Sequence, residues 1–161
     1  MHNSTVSWWF PSSDWTLTEL VPADTATVRN FYTDVANLKL VHPLILTVRK
    51  VGPEHWRVQE RNPLGPLSFR VWYSTHVHVE ANGDVVGESR LFLGVRLHDI
   101  VSFESVDGGT QVIERLRIVA PRPLAAYTHR EAVKAHEEML GAMRRHFEQL
   151  GEPRHRDELA P

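Results

Sequence analysis

A chain of 161 residues with 42% hydrophobic and 24% charged side chains has the length and composition of one globular domain. Its formal net charge of -2 offers no general attraction to nucleic acid or to an anionic membrane. It has no cysteine, which excludes disulfide scaffolds, thiolate metal sites and cysteine nucleophiles.

The first residues lack a basic segment followed by an apolar run, and no stretch approaches membrane-spanning length. A cytoplasmic location without membrane insertion is expected. Trp8, Trp9 and Phe10 precede the first strand and could contact a second copy, cover a pocket mouth or pack on a sheet edge. The chain itself reads as a monomer or a homodimer.

A strand is expected from Trp15 to Val21, ended by Pro22, which has no ladder donor. Asp24 can cap the helix that follows. Val28, Phe31, Tyr32 and Val35 recur with helical spacing and mark its apolar face. A short second helical turn covers Ala36 to Leu40. Six strands then follow over 44–51, 55–61, 67–80, 84–90, 95–105 and 110–119, separated by turn signals. Asn82-Gly83 is the strongest of these, since a two-residue type I′ turn needs positive φ at both positions. Short turns between closely spaced strands imply an antiparallel meander. After Pro121 and Pro123 a long helix runs from about 124 to 150, with Ala132, His136, Met139, Met143, Phe147 and Leu150 on one stripe.

This order of elements resembles the START-like, or SRPBCC, superfamily, in particular its polyketide cyclase/dehydrase and lipid transport branch. The resemblance rests on Val21-Pro22-Ala23-Asp24, on the segment Phe31-Tyr32-Thr33-Asp34-Val35-Ala36-Asn37-Leu38, on the Asp107-Gly108-Gly109-Thr110 hairpin and on Ala135-His136-Glu137-Glu138-Met139-Leu140. It implies an α+β helix-grip fold: a seven-stranded curved antiparallel sheet around a long C-terminal helix, with two short helices after the first strand. Residues 1–13 then form an N-terminal segment, 14–151 the domain and 152–161 a disordered tail. It also implies an internal pocket for a mostly apolar small molecule. The superfamily includes carriers and enzymes alike, so the fold alone does not choose between them.

Side chains alternate across a strand, so hairpin pairing links the faces of neighbouring strands. A loop over 106–109 pairs Ser105 with Thr110 and Asp99 with Leu116. A loop over 91–94 pairs Arg90 with Val95, and the Asn82-Gly83 turn pairs Val79 with Val86. One face then carries Tyr73, Thr75, Val77, Leu97, Val101, Phe103, Val112, Leu116 and Ile118, together with Glu88, Arg90, Asp99 and Glu114. Its apolar majority makes it the concave side, and four charges there suit a polar, partly wet pocket better than a dry core. A one-residue slip at 91–94 would move Glu88 and Arg90 outside and leave Asp99 and Glu114 inside.

The expected ligand-binding residues are therefore Tyr73, Thr75, Glu88, Arg90, Asp99 and Glu114 from the sheet, His42 from the loop before the second strand, and His136, Met139 and Met143 from the last helix. His136 or His42 could hold or move a proton. His76-Val77-His78 sets two imidazoles on one strand face without an evident third ligand, so no metal is expected, and no motif calls for a cofactor. The sequence reads best as a carrier or sensor of a polyketide, lipid or aromatic metabolite. The alternative is an aromatase/cyclase or dehydratase in which Arg90 polarises a carbonyl and Glu114, Asp99 or His136 moves protons.

Overall fold

A computed structural model describes residues 8–151. Seven strands form one antiparallel sheet in the order β1-β7-β6-β5-β4-β3-β2. They are β1 (Ser12–Val21), β2 (Ile45–Gly52), β3 (His55–Leu64), β4 (Leu67–Val79), β5 (Val85–Arg90), β6 (Arg96–Val106) and β7 (Gly109–Val119). Between β1 and β2 lie α1 (Thr25–Thr33) and α2 (Val35–Leu38), and α3 (Arg122–Gly151) closes the domain. This is the helix-grip architecture. Residues 1–7 of the expected N-terminal segment and the expected tail 152–161 lie outside the described residues.

Local chemistry sets the element boundaries. Asp24 caps α1, its Oδ1 accepting from the Thr27 amide at 2.9 Å, and Asp34 caps α2 through the Ala36 amide at 3.0 Å. Val28 and Tyr32 are the buried face of α1. Pro123 falls in the first turn of α3, where its missing amide proton costs nothing. Helix α3 sends Val133, Met139, Leu140, Met143 and Phe147 into a core shared with Val21, Val85, Val101, Val112, Leu116 and Ile118.

Phe10 packs so closely on Gly94 that a Cβ there would sit 2.9 Å from its ring. Trp8 and Trp9 stack on one another and stay more than half exposed, with the Arg122 guanidinium 5.2 Å from the Trp8 ring.

The register departs from the expected one at β5. Strands β6 and β7 pair as anticipated, Ser105 with Thr110 and Asp99 with Leu116. Strand β5, however, pairs Val79 with Val85 and Gly87 with both Val77 and Asp99. Both of its turns hold one residue more than two-residue or four-residue closure needs. At the first, the Glu80 amide bonds to Asp84 O at 2.8 Å, and Gly83 takes φ 88°, giving a three-residue loop in place of a type I′ turn. At the second, the Leu91 amide bonds to Val95 O at 2.9 Å around a 3-10 turn over Phe92–Gly94. The two slips cancel in β6 but reverse β5. Glu88 and Arg90 therefore stand on the convex face, contrary to expectation. Glu88 meets His98 at 3.7 Å, and Arg90 lies beside Ser74 and Arg96.

Candidate functional site

Between sheet and α3 lies a cavity of about 740 Å3. Most of its wall is apolar, with Val35, Leu38, Ile45, Val58, Val77, Val95, Leu97, Ala135 and Met139 contributing. Of the anticipated site residues, His42, Tyr73, Thr75, Asp99, His136 and Met139 line it. Glu114 is fully buried just behind the wall. Met143 is fully buried in the core and does not reach the cavity, and Glu88 and Arg90 lie outside it.

Polar groups gather at one place in this wall. The His136 imidazole Nδ1 meets Glu114 Oε1 at 2.7 Å. The Tyr32 hydroxyl donates to the same Oε1 at 3.1 Å and lies 3.4 Å from Asp99 Oδ2. Glu114 Oε2 has no hydrogen-bond partner among the described residues. A second pair lines the same cavity, where Tyr73 donates to Glu60 at 2.6 Å. Ser89 donates to Thr75 at 2.9 Å. His42 stands edge-on to His136, with ring centroids 5.7 Å apart, and its Nδ1 accepts from the Leu44 amide, leaving Nε2–H as its free donor.

Gly87 makes the cluster possible. It faces Asp99 across the β5–β6 ladder, and a Cβ on Gly87 would come within 2.4 Å of Asp99 Oδ1. Gly87→Ala is expected to lower stability by about 1–3 kcal/mol through overpacking. Urea unfolding measures this, and an unchanged midpoint would mean the carboxyl has room that this geometry denies it.

Burial and mutual repulsion set the charge states. For Asp99, burial first and the neighbouring Glu114 charge second push the carboxyl up to about 7. Burial alone would lower His136, but the Glu114 carboxylate and its hydrogen bond, helped by Asp99 and Glu60, raise it to about 9. Burial and the nearby His136 cation hold His42 down to about 3. Burial raises Glu60 despite the bond from Tyr73. At neutral pH the cluster thus holds an imidazolium–carboxylate pair, a neutral imidazole and a carboxyl that exchanges its proton readily.

The sign of the pH dependence follows. His136 is raised above an ordinary 6.5, so its stabilisation is complete below 6.5 and is lost as pH climbs through about 9. Asp99 is also raised, from 3.8, so its ionisation costs stability progressively between 3.8 and about 7. His42 is lowered, so acidification below 6.5 also destabilises. Thermal melts from pH 5 to 10 should show no gain up to about 6.5, where the Asp99 and His42 effects oppose one another, and then a fall up to about pH 9 that is smaller in His136→Leu. A wild-type melting point still rising at pH 9 would contradict these charge states.

Two members were not among the expected site residues. Glu60 follows Trp56 and Val58 in strict alternation, so its inward direction was present in the pattern. Tyr32 appeared only as one residue of an apolar helix face, and nothing local marks its hydroxyl as the bridge between Asp99 and Glu114. On the convex face His55, His76 and His78 stack at 4.5 and 5.0 Å, and Glu54 and Glu80 meet His76 and His78.

No family model matches the sequence, and no curated protein matches it significantly. Solved structures do match the fold. A START superfamily protein from Mycobacterium smegmatis is 14% identical with a TM-score of 0.64, covering 86% of this chain and 98% of its own. The Zhui aromatase/cyclase from a Streptomyces species is 15% identical with a TM-score of 0.64, covering 89% and 99%. The di-domain aromatase/cyclase BexL is 12% identical with a TM-score of 0.66, covering 88% of this chain and 51% of its own. The chain therefore has the START-like helix-grip fold anticipated from its sequence.

Proposed function

We propose that the protein binds a mostly apolar small molecule carrying a neutral polar oxygen, such as a polyketide, lipid alcohol or aromatic metabolite. The observation that carries this reading is a largely apolar cavity of about 740 Å3 with polar groups gathered at one place in its wall. A hydroxyl or carbonyl there can accept from the free N–H groups of His136 and His42, and from Asp99 when protonated. A carboxylate would meet Glu60, Asp99 and Glu114 against one imidazolium. Isothermal titration with 2-naphthol and 2-naphthoate tests this preference. The naphthol should bind at least roughly tenfold more tightly, since one uncompensated like charge costs more than about 1.4 kcal/mol in such a site. Equal or tighter naphthoate binding would overturn it.

A second reading, an aromatase/cyclase or dehydratase, is favoured by one arrangement: Asp99, whose carboxyl burial and Glu114 raise to about 7, shares the Tyr32 hydroxyl with the His136–Glu114 pair. Asp99 or His136 would then move the proton. Arg90 has no part in this, because it stands on the other face. The two likenesses to aromatase/cyclases are compatible with it. Dehydration of a neutral aryl β-hydroxy ketone, followed by enone absorbance, decides the matter. Turnover lost in Asp99→Asn with affinity kept would establish catalysis, and binding without turnover leaves the carrier reading.

A further inference from the structure

The net charge of -2 hides a segregation that the strand register exposes. Two connections at one end of the sheet carry exposed apolar tips. The β3–β4 hairpin ends in Leu64 and Leu67, 54% and 70% exposed, and the β5–β6 connection carries Phe92 and Leu93, 65% and 54% exposed. Leu64, Phe92 and Leu93 also line the cavity, so these tips form its lip. Behind each tip stands a pair of arginines set directly across the ladder from one another, Arg61 opposite Arg70 and Arg90 opposite Arg96. All four are exposed, and among the described residues none forms an ion pair.

Like charges directly opposite one another destabilise a sheet. This chain repeats the arrangement behind two separate apolar tips, and a third pair, Arg49 opposite Arg57, extends the positive field over the same strands. An anionic partner would relieve all of these repulsions at once. The spacing narrows the choice of partner. Arg61 and Arg70 stand three residues behind Leu64 and Leu67, roughly 10 Å along a strand. Arg90 and Arg96 stand two residues from the ends of the Phe92–Gly94 turn. Apolar groups at a membrane interface sink roughly 5–10 Å to the acyl boundary, which leaves cations set this far back among the phosphates.

We propose that this end of the domain docks peripherally on an anionic phospholipid surface, the tips Leu64, Leu67, Phe92 and Leu93 at the acyl boundary and Arg61, Arg70, Arg90 and Arg96 on lipid phosphates. The cavity mouth then opens toward the bilayer. No helix of the described residues is long and apolar enough to cross a membrane, and docking requires none. A nucleic acid could use the arginines but would leave the apolar tips without a role.

Co-sedimentation with phosphatidylcholine vesicles, with and without about 30% phosphatidylglycerol, tests the proposal without any ligand in the cavity. Binding should appear only on the anionic vesicles and vanish at high salt. Each arginine removed should weaken it roughly fivefold, so Arg61→Gln with Arg70→Gln should lose more than tenfold. Leu67→Asp with Phe92→Asp should weaken it as much. All these positions are exposed, so unchanged melting points are expected to confirm intact folding. No binding to phosphatidylglycerol vesicles, or binding indifferent to these substitutions, overturns the proposal. So does duplex DNA that binds as tightly as the vesicles and ignores the two aspartates.

Discussion

His136→Leu is expected to destabilise the protein by about 3–5 kcal/mol, the usual cost of stranding one member of a buried ion pair. Glu114 is fully buried, its Oε1 takes the His136 Nδ1 at 2.7 Å, and its Oε2 has no partner among the described residues. With His136 gone, the carboxylate keeps only the Tyr32 hydroxyl at 3.1 Å. Urea denaturation at pH 6.5 measures the loss. The double variant His136→Leu with Glu114→Leu should recover most of it, because a buried pair replaced by apolar groups is often neutral. A single-variant cost below about 1 kcal/mol would mean that water reaches Glu114 and that the cluster is not sealed.

The second large effect concerns occupancy. Ala132 lies on the cavity side of α3, where a tryptophan would extend into open volume. Ala132→Trp should reduce affinity for 2-naphthol at least roughly 100-fold, because a molecule buried over most of its surface cannot share that volume. Melting temperature should change little. Thr128→Trp, also on the cavity wall, is a second blocking variant should the first perturb packing. A ligand indifferent to both would be bound elsewhere.

Much of the architecture was legible because turn chemistry and periodicity agreed. The apolar stripe of α3 sends Met139, Met143 and Phe147 inward as its spacing requires. The Asp107-Gly108-Gly109 loop gave the β6–β7 register residue for residue, which placed Asp99 and Glu114 correctly. The inward face of strand β5 is not legible in the sequence, because Asn82-Gly83 fits both a two-residue and a three-residue loop. Only the Glu80–Asp84 hydrogen bond distinguishes them. Since side chains alternate, that single residue carried Glu88 and Arg90 to the wrong face and hid Gly87 opposite Asp99. Partners that meet across 82 and 67 residues, such as Tyr32 with Glu114 and Asp99, leave no local mark in a sequence. The arginine pairs were likewise invisible to a net charge, which averages what the register separates.

Titration calorimetry of 2-naphthol into the wild-type protein and Ala132→Trp tests most directly whether the cavity is a binding site. The expected result is saturable one-to-one binding to the wild type and none to the variant at matched stability. No saturable binding to the wild type, or equal binding to both, would contradict the assignment of this cavity as the functional site.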